Sequence, residues 1–295
     1  MDQQHTVAVV GAGRMGGAMV GTLRRAGTEV VVFNRTGAKA EAVAAATGAR
    51  VAASAAEAAA EADVVLSSLA DDAAVNDAYG GPEGVAAGLR PGAVVLESST
   101  IDPQTVRELR PLVEERGASL LDAPVSGSVA LVERGELTVM AGGDAEALER
   151  ARPVLDALAA KVFHVGTLGA GATVKLVVNA VLHGLNLALS EGLVLAEKAG
   201  VAQTAAYDVL AVSAVGAPFL QYKRQAFERP EETPVAFSLD LAAKDLDLAL
   251  GLAVRAGATM EQAATNRRVV GEAVAAGMGE ADFSALAVFL RGEQA

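Results

Sequence analysis

Lys175 and Asn179 stand four residues apart in an otherwise apolar run, Gly169-Ala-Gly171-Ala-Thr-Val-Lys175-Leu-Val-Val-Asn179. That spacing puts both on one face of a helix, where an ammonium and a carboxamide are costly to bury without partners. Desolvation lowers the proton affinity of a lysine, so Lys175 suits general acid–base work near neutral pH, with Asn179 beside it to hold what reacts. At 100° per residue, Lys175, Asn179, His183, Asn186 and Ser190 fall within roughly an 80° arc. Chemistry requires only the near end of this stripe; His183, Asn186 and Ser190 are expected to hydrogen-bond to neighbouring helices. No serine, histidine or carboxylate elsewhere is comparably placed.

A second group of residues suits a phosphate-rich ligand. Gly11-Ala12-Gly13-Arg14-Met15-Gly16 follows an apolar β-branched run and precedes a helical pattern, the context in which a glycine pattern reads as a dinucleotide fingerprint. Gly11 serves the tight turn, Gly13 the close approach of backbone to pyrophosphate and Gly16 the packing of helix on strand. The plainer alternative is an ordinary glycine-rich turn. At the end of the next run, Asn34-Arg35-Thr36 stands where an acidic residue would favour an unphosphorylated ribose. Arg35 can pair with a 2′-phosphate, with Asn34 and Thr36 as further donors and Lys39 in reserve. NADP(H) is therefore the expected cofactor, NAD(H) remaining possible; the alternative is a solvated turn whose arginine does nothing.

Two further segments are weaker. In Asp122-Ala-Pro-Val-Ser126-Gly127-Ser128 the Ser126 hydroxyl and the amides around Gly127 could converge on a carboxylate, yet Pro, Ser and Gly fill loops for conformational reasons alone. Lys244-Asp245-Leu246 lies on a helix expected to begin near Ser238, and is equally readable as a solvated charge pair.

The elements that must position these residues fall into two halves. Up to Val165, short β-branched runs alternate with alanine-rich stretches, as in βα units over a mostly parallel, doubly wound sheet. Strands are expected at Thr6–Val10, Val30–Phe33, weakly Ala49–Ala52, Val64–Ser68, Ala93–Glu97, Leu120–Ala123, Leu137–Ala141 and Val162–Val165. Beyond them the pattern is helical, beginning with a long helix from about Ala170 to Ala199, so the expected domains are 1–165 and 166–295. The junction Gly166-Thr-Leu-Gly-Ala-Gly171 either caps the new helix or allows close backbone approach.

Composition narrows the function. A formal charge of −12 over 295 residues opposes binding to nucleic acid or anionic lipid. Cysteine is absent, which excludes disulfides and thiolate chemistry, and His5, His164 and His183 have no metal-ligand spacing. The start of the sequence, MDQQHTVAVVGAG, lacks the pattern of a secretion signal, so a cytoplasmic location is expected. The apolar segment 172–196 carries Lys175, Asn179, His183, Asn186 and Glu191, which fits a buried helix better than a membrane span.

Taken together, GAGRMG, DAPVSG, the lysine helix with its glycine-rich lead-in and KDL occur in the order that resembles the β-hydroxyacid dehydrogenase family, over nearly the whole chain. The resemblance implies an N-terminal Rossmann domain and an all-helical substrate and dimerisation domain, hence a homo-oligomer. It also implies a small carboxylate-bearing hydroxy acid or aldehyde as substrate. It assigns Lys175 to catalysis, Ser126, Gly127, Ser128, Asn179 and Asp245 to substrate, and Leu69, Thr100 and Lys244 to the cofactor together with the fingerprint. Two positions depart from the family pattern: Ser128 where the turn usually continues with glycine, and Ala180 where a second asparagine is common. The related imine reductases as a rule lack the lysine, and a silent nucleotide-binding scaffold would be expected to lose the lysine–asparagine pair.

Overall fold

The short β-branched runs form strands and the alanine-rich stretches between them form helices, in a computed structural model that describes residues 5–292. The reading of the extreme N-terminus as leader-free rests partly on residues 1–4, which lie outside the described residues. The strands are β1 (Thr6–Val10), β2 (Glu29–Phe33), β3 (Arg50–Val51), β4 (Val64–Ser67), β5 (Val94–Glu97), β6 (Ser119–Asp122), β7 (Val125–Ser126), β8 (Leu137–Gly142) and β9 (Ala159–Gly166). Between and beside them run α1 (Arg14–Arg25), α2 (Gly37–Thr47), α3 (Ala55–Ala60), α4 (Asp72–Tyr79), α5 (Val85–Gly88), α6 (Pro103–Glu114), α7 (Val129–Glu133) and α8 (Ala145–Leu158).

The sheet order is β3-β2-β1-β4-β5-β6-β8-β7, with β9 paired to β8. From β3 to β6 every pairing is parallel. Alternate side chains serve two cores: Val7, Val9, Val30, Val32, Leu66 and Leu96 on one face, Ala8, Val10, Val31, Val65 and Val95 on the other. Burial on both faces is why these strands read as continuous apolar runs rather than as alternating ones.

The far edge carries the antiparallel part of the expected mostly parallel sheet. β8 runs antiparallel to both β6 and β7. β7 is only two residues long and carries Val125 and Ser126, too short to leave a periodic signal. The weak strand expected at Ala49–Ala52 contracts to Arg50–Val51, an edge pair exposed at both positions.

The chain divides between Lys175 and Leu176 into two compact units, and one helix, α9 (Ala170–Lys198), spans the division. Among the described residues it is the one helix long and apolar enough to cross a membrane. Its Asn179, His183, Asn186 and Ser190 are nevertheless buried in protein.

The second unit continues with α10 (Gln203–Val212), α11 (Pro218–Glu228), α12 (Leu239–Ala256), α13 (Glu261–Ala273) and α14 (Leu286–Arg291). Leu193, Tyr207, Phe219, Phe227, Leu246, Phe283 and Leu286 form its core. Within it Asp282 is a hub. Its carboxylate accepts Lys223 Nζ at 2.7 Å on both oxygens and the amides of Ala236 and Phe237. Those bonds lead the chain into Ser238, whose hydroxyl accepts the Leu241 amide and caps α12, the ordinary role of serine at a helix start. The expected start of the Lys244–Asp245 helix is therefore observed.

Candidate functional site

The fingerprint turn is built as its glycines require. Gly11 has φ +107°, and a Cβ on it would collide with the Ser68 carbonyl oxygen; a Cβ on Gly16 would collide with the Gly11 carbonyl. Gly13 meets nothing within 4 Å, so the backbone there faces open space. Ala12 is buried, whereas Gly13 and Arg14 are exposed and Met15 is half-buried. No side chain caps α1 and no acidic residue lies in its first turn, which leaves its amides and positive end available to an anion. The residues present thus fit a dinucleotide pyrophosphate.

At the end of β2 the three expected ribose-phosphate residues have different tasks. Asn34 Oδ1 accepts the Ala12 amide at 2.9 Å, and its Nδ2 donates to the Thr36 carbonyl at 3.0 Å. Asn34 therefore fastens this turn to the fingerprint, a role the sequence reading did not foresee. Arg35 is exposed and lies 3.8 Å from Asp77. Thr36 precedes α2 without its hydroxyl capping it.

The segment from Asp122 to Ser128 is tied to the start of the lysine helix. Asp122, the last residue of β6, accepts the Gly169 amide at 2.8 Å on one oxygen and the Ala172 amide at 2.7 Å on the other. Burial pushes its carboxyl upward, opposed by these amides and that of Gly171. A Cβ on Gly171 would collide with the Met140 carbonyl, and one on Gly142 with Asp122 itself. The glycine-rich junction is thus a close-approach surface that seats α9 on the sheet. Downstream, Ser126 pairs with Thr138 across β7 and β8. Gly127 adopts φ +145° with Leu137 and Leu131 crowding its Cβ position. Ser128 precedes α7 without capping it. Ser126 and Ser128 are half-buried and Gly127 is exposed.

Lys175 is half-buried in the second turn of α9. Asn179, one turn later, is buried and donates from Nδ2 to Asp245 Oδ2 at 2.6 Å. Lys244 Nζ lies 3.1 Å from Asp245 Oδ1, and His183 Nε2 lies 3.9 Å from Oδ2. Burial opposes ionisation of Asp245, but His183 and Lys244 outweigh it and hold the carboxyl below its ordinary value. Asn186 Nδ2 donates to the Phe283 carbonyl, a contact outside its own helix as expected. Ser190 departs from expectation: it donates to the Asn186 carbonyl of the same helix, the usual way for serine to satisfy itself inside a helix.

Two buried carboxylates that tie the loops of this region together were given no role from the sequence. Asp122 stands in the DAPVSG segment, but its anchoring role left no signal because its partners are main-chain amides, which any residue but proline supplies. Glu97, which ends β5 and is 1% exposed, accepts Ser67 Oγ at 2.5 Å and the Ser99 amide at 2.7 Å. A charged residue closing the apolar run Ala93–Glu97 was the available clue. Leu69 and Thr100, assigned to the cofactor, follow β4 and β5 and are half-buried. Among the described residues no cluster suits a metal ion.

Known proteins resemble this chain in sequence and in fold. Residues 6–166 match the family model described as the NAD binding domain of 6-phosphogluconate dehydrogenase. Residues 169–290 match that described as NAD-binding of NADP-dependent 3-hydroxyisobutyrate dehydrogenase. Glyoxylate/succinic semialdehyde reductase 2 of Arabidopsis thaliana is 32% identical over 97% of this chain and 80% of its own. An NAD-dependent L-serine dehydrogenase of Pseudomonas aeruginosa is 35% identical over 82% and 83%. The solved structure of Mycobacterium tuberculosis 3-hydroxyisobutyrate dehydrogenase with L-serine superposes with a TM-score of 0.85 at 35% identity, covering 98% of this chain and all of that one.

Proposed function

The chain belongs to the β-hydroxyacid dehydrogenase family, nicotinamide-dependent oxidoreductases of CH–OH groups, and from that premise we propose a substrate class, a cofactor preference and a proton carrier. The reaction is the interconversion of a small β-hydroxy acid with its semialdehyde or keto acid, using NADP(H) in preference to NAD(H), with Lys175 as general acid and base. The observation that carries this reading is the seating of α9: Asp122 ties the helix bearing Lys175 to the strand that runs into the Ser126–Ser128 turn.

The bound nicotinamide supplies or takes up the hydride at the carbon bearing the hydroxyl. Ser126 Oγ and the amides about Gly127 hold the substrate carboxylate, and orientation of this kind supplies much of the rate. In oxidation, neutral Lys175 Nζ accepts the hydroxyl proton; in reduction its ammonium returns a proton to the same oxygen. Asn179, oriented by Asp245, is assigned to substrate. Leu69, Thr100 and Lys244 are assigned to the cofactor, and Arg35 to the 2′-phosphate. The chain matches a family model named for NADP and a relative named for NAD, so the preference rests on Arg35 and the missing acid at the end of β2.

A homo-oligomer is part of the same reading, supported by Val177, Val181 and Leu195, which are 56%, 69% and 71% exposed along α9. Light scattering at micromolar concentration tests it. The activity is tested by turnover with NADPH and NADH across small hydroxy acids, aldehydes and cyclic imines. Reduction of a carboxylate-bearing aldehyde is the expected result. Turnover of imines alone would move the chain to the imine reductases, and dinucleotide binding without any turnover would make it a scaffold.

A further inference from the structure

We propose that Glu97 is a positioning residue for dinucleotide binding: through Ser99 it holds the Ser68–Leu69 segment against the glycine fingerprint. The proposal rests on the chain's binding of a nicotinamide dinucleotide at that fingerprint.

The hydrogen bonds give the direction of the argument. Ser67 Oγ donates its one proton to Glu97 Oε2 at 2.5 Å, so the 2.7 Å contact between Ser67 Oγ and Tyr79 OH is donated by the tyrosine. On the other carboxylate oxygen, Oε1 accepts the Ser99 amide at 2.7 Å. Ser99 Oγ in turn accepts the Leu69 amide at 2.8 Å. Ser98 adds a second link, donating from its amide at 2.9 Å and its hydroxyl at 2.6 Å to the Ser67 carbonyl. One carboxylate therefore joins the loop after β4 to the loop after β5.

The position of these loops gives the network its meaning. In the sheet, β1 lies between β2 and β4, and β5 follows β4. Chain order reverses at β1 and β4, and open α/β sheets bind ligands beyond the carboxyl ends of the strands at such a reversal. Gly11 leaves β1 at that place, and Ser68–Leu69 leaves β4 beside it. The contact between them is close. The Ser68 carbonyl occupies the space of a Gly11 Cβ, and Leu69 Cδ2 lies 3.1 Å from the same point. The Ser68–Leu69 segment is thus wedged between the fingerprint and the carboxylate network, and its placement sets the shape of the turn that the pyrophosphate must enter.

Simple packing does not account for a glutamate here. Burying a carboxylate carries a large desolvation penalty that only well-placed donors offset, and an apolar side chain would fill the end of β5 without it. Burial pushes the Glu97 carboxyl upward and the Tyr79 hydroxyl well upward. What the carboxylate provides that an apolar residue cannot is a pair of acceptor oxygens that fix Ser67 and Ser99 at once.

The test compares the unaltered protein with Glu97→Ala, Glu97→Gln and Ser99→Ala. Calorimetric titration with NADPH and NADH gives cofactor affinity, and amide hydrogen exchange of the ligand-free protein reports on Leu69. Glu97→Ala and Ser99→Ala are expected to weaken dinucleotide binding about tenfold, the scale of one hydrogen bond in a linked network, and to speed exchange at Leu69. Glu97→Gln retains an oxygen for Ser99 and is expected to stay within about threefold, a rescue that separates positioning from bulk. Should Glu97→Ala fail to fold, Ser99→Ala decides, because it keeps the buried carboxylate and deletes only the link to Leu69. Folded variants with faster Leu69 exchange, or lower melting temperature, and dinucleotide affinity within about threefold of the original would overturn the proposal. Failure of the unaltered protein to bind either dinucleotide would instead overturn the reading on which it rests.

Discussion

Asp122 in the first unit and Asp245 in the second are buried to the same degree, 1% and 2% exposed, and are satisfied in opposite ways. Asp122 is held by main-chain amides, those of Gly169 and Ala172. Asp245 is held by side chains, with Asn179, Lys244 and His183 around it. The two carboxyls are accordingly displaced in opposite directions, burial prevailing at Asp122 and the His183 and Lys244 partners prevailing over burial at Asp245. An amide-held carboxylate fixes where a helix begins and is indifferent to the side chains that helix carries. A side-chain-held carboxylate fixes which way functional groups point. The first kind governs whether a site exists, the second how it works.

Lys175 lies in the chain between these two anchors, and its removal is the largest effect expected. Lys175→Met keeps the length and apolar stem of the side chain while deleting the proton carrier. Turnover should fall by ~10²–10⁴, with fold and NADPH affinity retained. The pH profile of the unaltered protein should contain an ionisation that shifts or vanishes in the residual activity. A folded variant within about threefold of the original turnover would remove Lys175 from acid–base chemistry altogether. Next in size is Asp122→Ala, which strands two buried amides at about 1–3 kcal/mol each and should lower stability in chemical denaturation. Asp122→Asn keeps one acceptor and should lose less. Equal losses for Asp122→Asn and Asp122→Ala would contradict the amide-held account.

Arg35→Asp should act on the cofactor and nothing else. A charge-assisted bond to phosphate is worth ~1.5–3 kcal/mol, so the unaltered protein should favour NADPH over NADH by one to two decades. The substitution should reverse the preference by adding repulsion to the lost pairing. Because Arg35 is exposed and lies 3.8 Å from Asp77, stability should hardly move. NADH binding as tight as NADPH in the unaltered protein would sink the assignment.

The contrast between the two anchors also explains what the sequence disclosed. The fingerprint, the strands β1, β2, β4 and β5, the long helix and the polar stripe were legible because each depends on side-chain type or period. Gly11 and Gly16 must be glycine where a carbonyl occupies the Cβ position, and Val7–Val10 must be apolar where both sheet faces are covered. Asn179 could be singled out because a carboxamide in an apolar helix demands a partner, although only the structure identifies that partner as Asp245. The anchoring roles of Asp122 and Asn34 remained hidden because their partners are backbone atoms. The antiparallel edge was hidden too: β7 has two residues, and strand direction leaves no mark on so short a segment.

Acid should separate the anchors by sign. Asp245, and likewise Asp282 beside Lys223 and Ser284, are held below the ordinary value of 3.8 despite burial. A depressed carboxyl contributes stability that is present above 3.8 and lost as pH falls through the lower folded value. Asp122 is raised, so its protonation favours the folded chain, and it adds nothing to acid lability. Denaturation midpoints measured from pH 6 down to pH 2 should therefore flatten in Asp245→Asn and not in Asp122→Asn, by about 1.4 kcal/mol per unit of displacement. The same flattening in both would erase the distinction.

Ser128→Gly is the smallest expected effect and the finest probe of the amide-built side of the site. Ser128 has an extended backbone, φ −98° and ψ 171°, and its hydroxyl does not cap α7. Glycine adopts that conformation readily, so the loss of stability should be no more than about 1 kcal/mol, chiefly through the freer unfolded chain. At the neighbouring Gly127 a side chain would be strained by the backbone, φ +145°, and would also displace Leu137 and Leu131. Residue 128 is therefore the nearest position at which the turn can acquire a new polar group without rebuilding its backbone. A single neutral hydrogen bond is worth ~0.5–1.5 kcal/mol, so relative turnover among small hydroxy acids should change by about two- to tenfold, while NADPH affinity stays constant. A substrate panel that keeps both its order and its rates would show that the hydroxyl takes no part in selecting what the Ser126–Gly127 turn holds.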